Sequence, residues 1–360
     1  MMFRRFSQVF VTLFLLLLTL IFLSCVSSGS SNSKKSINIS KTTPAWVNDV
    51  YSSYDKARYV AATGFAGSRE QAEGNALAAL TSFFGQTVEV DRNAVSFFRQ
   101  AVVNNVINEW IDTDEMRTNI KTTASMDNLM GAEIEEVWYD SKEIYYAVAV
   151  MEKQRAIRIY SDLLKANLNI IKNLVAMTPN ERNSMEGVIR YRFAASVADI
   201  NVSYKNIITL LNGTVTENIV SGDSYRLEAQ NIIKIIPINI RISNDRNGRI
   251  FGAFAKTFTD WGFEAQTGTT NARYILDVNI TLSPVDLPAN PNIFARIELA
   301  ANFTDTRANL VLIPYTFNSR EGHTNRAEAE NRCIMVAERS VNEEFASLLS
   351  AYLSRLMPKK

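Results

Sequence analysis

The run Tyr59-Val60-Ala61-Ala62-Thr63-Gly64-Phe65-Ala66-Gly67-Ser68-Arg69-Glu70-Gln71-Ala72-Glu73-Gly74-Asn75-Ala76-Leu77-Ala78-Ala79-Leu80 changes character halfway along. Arg58 to Gly64 reads as a strand, and Gly64 to Gly67 as a turn. Ser68 and Gln71 then stand at capping-box spacing, where a hydroxyl accepts from an amide left free at the start of a helix. Ala72, Ala76, Leu77, Leu80, Phe83 and Phe84 follow on one helical face. Because much of that face is alanine, the helix must pack closely on its sheet.

Outward from this run, Thr43-Pro44-Ala45-Trp46-Val47 opens the ordered region: Thr43 can cap, and Pro44 suits a first helical position, where no amide donor is needed. A second helix is expected from about Asn93 to Trp110, through Val95, Phe98, Val102, Val106 and Ile107. Extended segments follow near Met116 to Met126, Met130 to Tyr139 and Glu143 to Met151. The last two, separated by Asp140-Ser141-Lys142, read as a hairpin rich in aromatic and β-branched residues.

Pro44 to Val47, Tyr59 to Ala66, the helix residues Ala72, Ala76, Ala79 and Leu80, Val137-Trp138-Tyr139 and Tyr145 to Ala149 together resemble the bacterial lipoprotein-20 family over about residues 44–152. The resemblance implies an envelope lipoprotein, some members being associated with flagellar or outer-membrane apparatus. It brings no catalytic residues, and the long C-terminal extension departs from the family's compact members.

Beyond residue 152, Ile157, Leu163, Leu164, Leu168, Ile171, Leu174 and Val175 predict a helix from Lys153 to Met177. Thr178-Pro179-Asn180-Glu181 joins a capping-box spacing to a first-turn proline, so a second helix is expected to restart there and stop at Asn212-Gly213. Ile232 to Ile242 reads as a strand interrupted by Pro237. Gly248 to Trp261 reads as a helix closed by Gly262, and Tyr274 to Leu282, Phe294 to Phe303 and Leu310 to Phe317 as strands before a final helix from Thr324 to about Leu356. The expected architecture is α+β: two mixed sheet and helix domains, 44–152 and 214–360, joined by a long helical hairpin over 153–213.

The N-terminus carries an address. Arg4 and Arg5 precede Val9 to Leu23, an apolar stretch broken only by Thr12 and Thr19, which is the layout of a secretory signal over residues 1–24. As a helix those fifteen residues span about 22 Å, short of the roughly 30 Å bilayer core. Phe22-Leu23-Ser24-Cys25 resembles a lipobox with Phe22 in place of the usual leucine, which implies lipidation of Cys25. An ordinary signal cleaved near Ser24 and an uncleaved anchor are the other readings. Two or three acyl chains would hold the protein stably at a membrane, where one is marginal. Residues 25–43, polar and serine-rich, then form a tether of about 23 Å as a flexible coil.

Charge excludes one class of partner. Lys and Arg total 38 against 37 Asp and Glu, and loss of residues 1–24 leaves 36 against 37. A chain so balanced, with its basic residues scattered, offers no field for nucleic acid. With Cys25 assigned to lipid, Cys333 has no intramolecular partner, so packing rather than disulfides must stabilise the fold.

The chemistry-bearing residues are few. His323, the one histidine, lies in Arg320-Glu321-Gly322-His323-Thr324 and lacks the second histidine or cysteine of a zinc site. A turn or capping role is the plainer reading; in a ligand site, Arg320 and His323 are the positions of interest. Cys333 reads as a buried structural thiol rather than a nucleophile. Glu133 and Glu135 alternate onto one strand face, as an acid/base pair or a solvated edge. Asp112, Asp114 and Glu115 read as a helix-ending acidic turn. Asn244 to Gly248 invites a calcium-loop reading, but Gly248 comes too early and the distal glutamate is missing. Phe83-Phe84 and Phe97-Phe98 read as core, and Trp46 and Trp110, near helix ends, as surface contacts. The sequence has no GxxxxGK[ST], GxGxxG, GxSxG or HExxH. No cofactor, metal or enzymatic reaction is expected. The expected protein is a lipid-anchored envelope component, at the periplasmic face of an outer membrane, whose partners are envelope proteins or further copies of itself. The alternative is a module whose C-terminal domain binds a small ligand or a peptidoglycan fragment.

Overall fold

The structure, a computed structural model, describes residues 42–84, 129–140, 143–268, 271–287 and 290–356. The leader with Cys25, the tether as far as residue 41, the helix expected at 93–110 with Phe97, Phe98 and Trp110, the acidic turn at 112–115 and the segment 116–126 lie outside the described residues.

Helix α1 (Ala45–Asn48) starts after Pro44, and strand β1 (Tyr59–Ala66) leads into α2 (Arg69–Phe84), where the Gln71 amide donates to Ser68 Oγ at 3.4 Å. Ala72, Ala76, Leu80 and Phe84 form the buried stripe. Phe83 is exposed instead of joining Phe84 in the core, because adjacent helical residues point about 100° apart. β2 (Ala132–Tyr139) and β3 (Tyr145–Glu152) complete an antiparallel sheet in the order β1-β3-β2. The alanine face brings α2 into backbone contact with this sheet: a Cβ added to Gly64 would stand 2.2 Å from the Ala76 nitrogen and 2.6 Å from the Ala72 oxygen.

Helix α3 (Lys153–Val175) runs straight out of β3. The Thr178–Glu181 capping box forms as expected, but opens only the short α4 (Pro179–Arg182). The long helix, α5 (Met185–Leu210), starts afresh after Ser184, whose hydroxyl accepts from the Gly187 amide. Buried Arg190 on α5 closes the hairpin. Its guanidinium donates to the main-chain oxygens of Leu174 (2.8 Å), Asn173 (2.9 Å) and Ala176 (3.1 Å), at the end of α3, and to Glu186 at 3.1 Å. Those carbonyls have no partner within α3, and they form the negative end of its dipole. Deeper in the pair, Asn167 Nδ2 donates to Asn201 Oδ1 at 2.9 Å, leaving Asn201 Nδ2 buried without a partner.

The next element departs from expectation. Ile232 to Ile236 is not the start of a strand: α6 (Gly222–Ile235) occupies it, and β4 (Ile238–Ser243) begins after Pro237. Ala229, Ile232, Ile233 and Ile236 are buried at helical spacing, and a short isoleucine run fits either period. Asp199 of α5 receives the start of α6, accepting from the Gly222 amide at 2.9 Å and pairing with Arg226.

Asp245 then accepts from the amides of Phe251 (2.8 Å) and Ile250 (3.3 Å), so the Asn244 to Gly248 turn serves as a cap for α7 (Arg249–Asp260). The short β5 (Ala265–Gln266) and the long β6 (Tyr274–Val285), β7 (Ile293–Asp305) and β8 (Leu310–His323) complete the second sheet, in the order β5-β4-β6-β7-β8. β4 is parallel to both neighbours, and the other pairings are antiparallel. With two sheets and helices packed on them, the class is α+β.

Helices cover one face of the second sheet, meeting the inward row Ala295, Ile297, Leu299, Ala301 and Phe303 of β7. The last helix is interrupted: α8 (Arg326–Ser340) passes through a π turn (Val341–Phe345) into α9 (Ala346–Arg355). Cys333 is fully buried on it and donates to the Ala295 oxygen at 3.2 Å, the structural role expected. Ala329, Cys333, Ala337, Val341, Phe345, Leu349 and Leu353 are all buried, one every four residues. In an unbroken α-helix each such step overshoots by about 40°; the wider π turn takes up part of that drift. No helix among the described residues is long and apolar enough to cross a membrane.

Two substitutions test these contacts. Gly64→Val should lower the unfolding free energy by about 3 kcal/mol, since α2 must move off the sheet. Arg190→Met should cost about 3 kcal/mol by orphaning the Leu174, Asn173 and Ala176 carbonyls and Glu186. Both are read as a shift in urea midpoint at unchanged slope.

Candidate functional site

The face of the second sheet turned away from α7, α8 and α9 is polar and open. Strand alternation puts every second residue there, and the register aligns those residues in rows across β6, β7 and β8. Asn279, Ala300 and Thr316 form one row; Thr281, Glu298 and Asn318 the next; Ser283, Arg296 and Arg320 a third; Val285, Phe294 and Gly322 the last. On β4, Arg241 donates through both Nε and Nη2 to the Asp277 carboxylate at 2.6 Å, and Ser243 Oγ donates to Asn279 Oδ1 at 2.8 Å. The first two rows, with Arg296 and Arg320 of the third, line a groove of about 760 Å³.

Its most unusual element is the third row. Arg296 and Arg320 are direct cross-strand partners, which sets their Cβ atoms about 5 Å apart, and like charges so placed destabilise a sheet. No carboxylate among the described residues forms an ion pair with either. Arg320 is held in place from below: its guanidinium lies over the Phe294 ring, 5.8 Å from the centroid. That ring in turn lies across Gly322, where an added Cβ would come within 2.6 Å of it. A cation stacked on an aromatic face keeps its N–H edge free for a second partner.

Of the residues singled out from sequence, only Arg320 is in the groove. His323 is three positions further along β8, opposite Ile293, and alternation puts it on the other side of the strand. Its Nδ1 stands 3.4 Å from the Asn325 nitrogen, in the turn where Asn325 caps α8. The structure therefore separates Arg320 from His323.

Trp46 is not a surface contact. It is 2% exposed, its indole N–H donates to Glu136 Oε2 at 3.0 Å, and the Tyr54 hydroxyl donates to Oε1 at 3.2 Å. A buried indole needs such an acceptor. Burial, reinforced by the Glu136 charge, pushes the Tyr54 phenol well up from its ordinary pKa. The same strand corrects the Glu133 and Glu135 pairing. Glu133 faces Val150 and Glu136 faces Val148, with a bulge between Ile134 and Glu136. One extra residue reverses the alternation beyond it, so Glu136 shares the face of Glu133. Glu133 pairs with Arg155 at 3.3 Å.

Arg296, Glu298, Asn279, Thr281 and Asn318 escaped the sequence reading. Their signal was present in β7, where Arg296, Glu298 and Asn302 alternate with apolar residues. What was missing was the register that sets Arg296 opposite Arg320.

No protein-family model and no curated protein matches the chain. Solved structures do align with it, and they include secreted proteins and lipoproteins. The secreted protein HP1454 of Helicobacter pylori aligns at 12% identity over 79% of this chain and 97% of that one, with a TM-score of 0.37. A minor lipoprotein of Acinetobacter baumannii aligns at 15% identity over 33% and 92%, with a TM-score of 0.23. Lipoprotein GNA1162 of Neisseria meningitidis aligns at 14% identity over 31% and 98%, with a TM-score of 0.21.

Proposed function

We propose that this chain is a lipid-anchored protein of the cell envelope that acts by binding rather than by catalysis. Cys25 carries the lipid, residues 25–43 form the spacer, and the folded body offers the open face of its second sheet at the periplasmic side of an outer membrane. The observation that carries the binding reading is that face: polar rows across three long strands, bordered by a pair of opposed arginines, where the other side of the sheet is closed by helices. The leader supports the anchor, with its arginine pair, short apolar stretch and lipobox-like Phe22-Leu23-Ser24-Cys25. A peptidoglycan fragment or other small polar ligand suits a surface of this kind.

A second reading, in which the body joins an envelope assembly such as an outer-membrane or flagellum-associated complex, or associates with itself, draws on the edge of the same sheet. β8 is 14 residues long and ends the sheet with no strand beyond it among the described residues. An unpaired edge of that length can accept a strand from another chain.

Metabolic labelling tests the anchor. Radiolabelled palmitate should enter the wild-type protein and not Cys25→Ala, and equal incorporation in both would overturn it. Cross-linking in intact cells separates the two modes of binding, since an assembly component is recovered in discrete protein adducts and a small-ligand module is recovered alone.

A further inference from the structure

We infer that the groove on the second sheet is a phosphate-recognition site, in which Arg296 and Arg320 clamp the phosphate of a small phosphorylated alcohol. The inference rests on the reading of the open face as a binding surface and gives that surface its chemistry.

Two arginines stand directly opposed on the groove wall, where the sheet alone has no use for them. Directly opposed like charges work against strand pairing, and neither is matched by a carboxylate ion pair among the described residues. An anion between them turns the repulsion into attraction. The stacking of Arg320 on Phe294, and of Phe294 over Gly322, restrains that guanidinium before any ligand arrives, which lowers the ordering cost of binding.

The number of forks selects the anion. A carboxylate has two oxygens and is satisfied by one bidentate arginine. A phosphate monoester carries close to two negative charges and three terminal oxygens, enough to meet two forks at once. The neighbouring row then reads the alcohol: Thr281, Glu298 and Asn318 lie two residues along each strand, about 7 Å away. Glu298 favours a hydroxyl or an ammonium substituent there and disfavours a second anion. The groove, about 760 Å³, falls within the roughly 300–1,000 Å³ typical of small-molecule sites. Glycerol 3-phosphate and O-phosphoethanolamine have this chemistry free in solution, and phosphatidic acid, whose phosphate remains a monoester, has it as the headgroup of a lipid.

The test is calorimetric titration of the full-length chain in an uncharged detergent, with glycerol 3-phosphate, O-phosphoethanolamine, acetate and a short-chain soluble phosphatidic acid as probes. The phosphorylated probes should bind and acetate should bind at least tenfold more weakly. Tighter binding of glycerol 3-phosphate or O-phosphoethanolamine points to a free metabolite, and tighter binding of the short-chain lipid to a headgroup. Arg296→Gln and Arg320→Gln should each weaken phosphate binding at least tenfold. Arg296→Lys, which keeps the charge and loses the fork, should fall between. Binding should weaken steadily as salt is raised.

Unchanged affinity in both glutamine variants, or no binding of any phosphorylated probe, would overturn the inference. Folding is controlled by the melting temperature without ligand at low salt, where Arg296→Gln should melt at or above the wild type. A clear drop would show that Arg296 is already neutralised within the sheet and would also overturn it. Cys25→Ala should bind these probes as the wild type does, so the anchor and the groove fail separately.

Discussion

Eighteen of the 26 residues of α5 are buried, so this helix must find partners around most of its circumference. On one side it takes α3, which grows out of the first sheet; on another it takes α6, whose first turn is received by Asp199. At its start the Met185 amide donates to the Tyr274 hydroxyl of the second sheet at 3.1 Å, and further along Arg192 donates to the Trp261 oxygen at the end of α7. A helix with apolar residues all round is stable only as a core element. The polar groups it does bury are therefore those that fix its position. Arg190 replaces the missing hydrogen-bond partners of the end of α3 and ties it to the start of α5 where the chain turns back.

Much of this was legible in sequence wherever local spacing and packing agree. The Tyr59 to Leu80 run gave its strand, cap and helix, since Gly64 and the alanines state the close approach directly, but the strand pairs on through Gly64 to Ala66 where a turn was expected. The Thr178 capping box was readable for the same reason, although Ser184 restarts the helix a turn later. The failures came where tertiary contacts choose between two local possibilities. Ile232 to Ile236 has β-branched residues at a spacing that α5 turns into a helix. Trp46 lies near a helix end, and only the folded sheet supplies Glu136 to accept from its indole.

The groove marks the same boundary. Alternation along β7 was readable as a strand with one polar side, and Arg320 stood out as a charged residue near a turn. Meeting Arg296 across the ladder is a property of register, set by pairing over the whole length of β7 and β8. Period-two alternation specifies which face a residue takes but not its opposite number. His323 shows the converse: proximity in sequence to Arg320 places it across the strand, where it joins the turn before α8.

The π turn at Val341–Phe345 has a consequence for how the chain can vary. It holds one residue more per turn than the α geometry on either side. A single-residue deletion there would restore regular hydrogen bonding and leave Leu349 and Leu353 close to the core face they now fill, because the wider turn already absorbs the extra residue. The irregularity thus acts as a phase lock between the two ends of the last helix. Elsewhere between Cys333 and Leu349 the loss of one residue would turn the buried stripe beyond it by about 100°, so a change of length is absorbed within the π turn or beyond Leu353 and not in the α-helical parts.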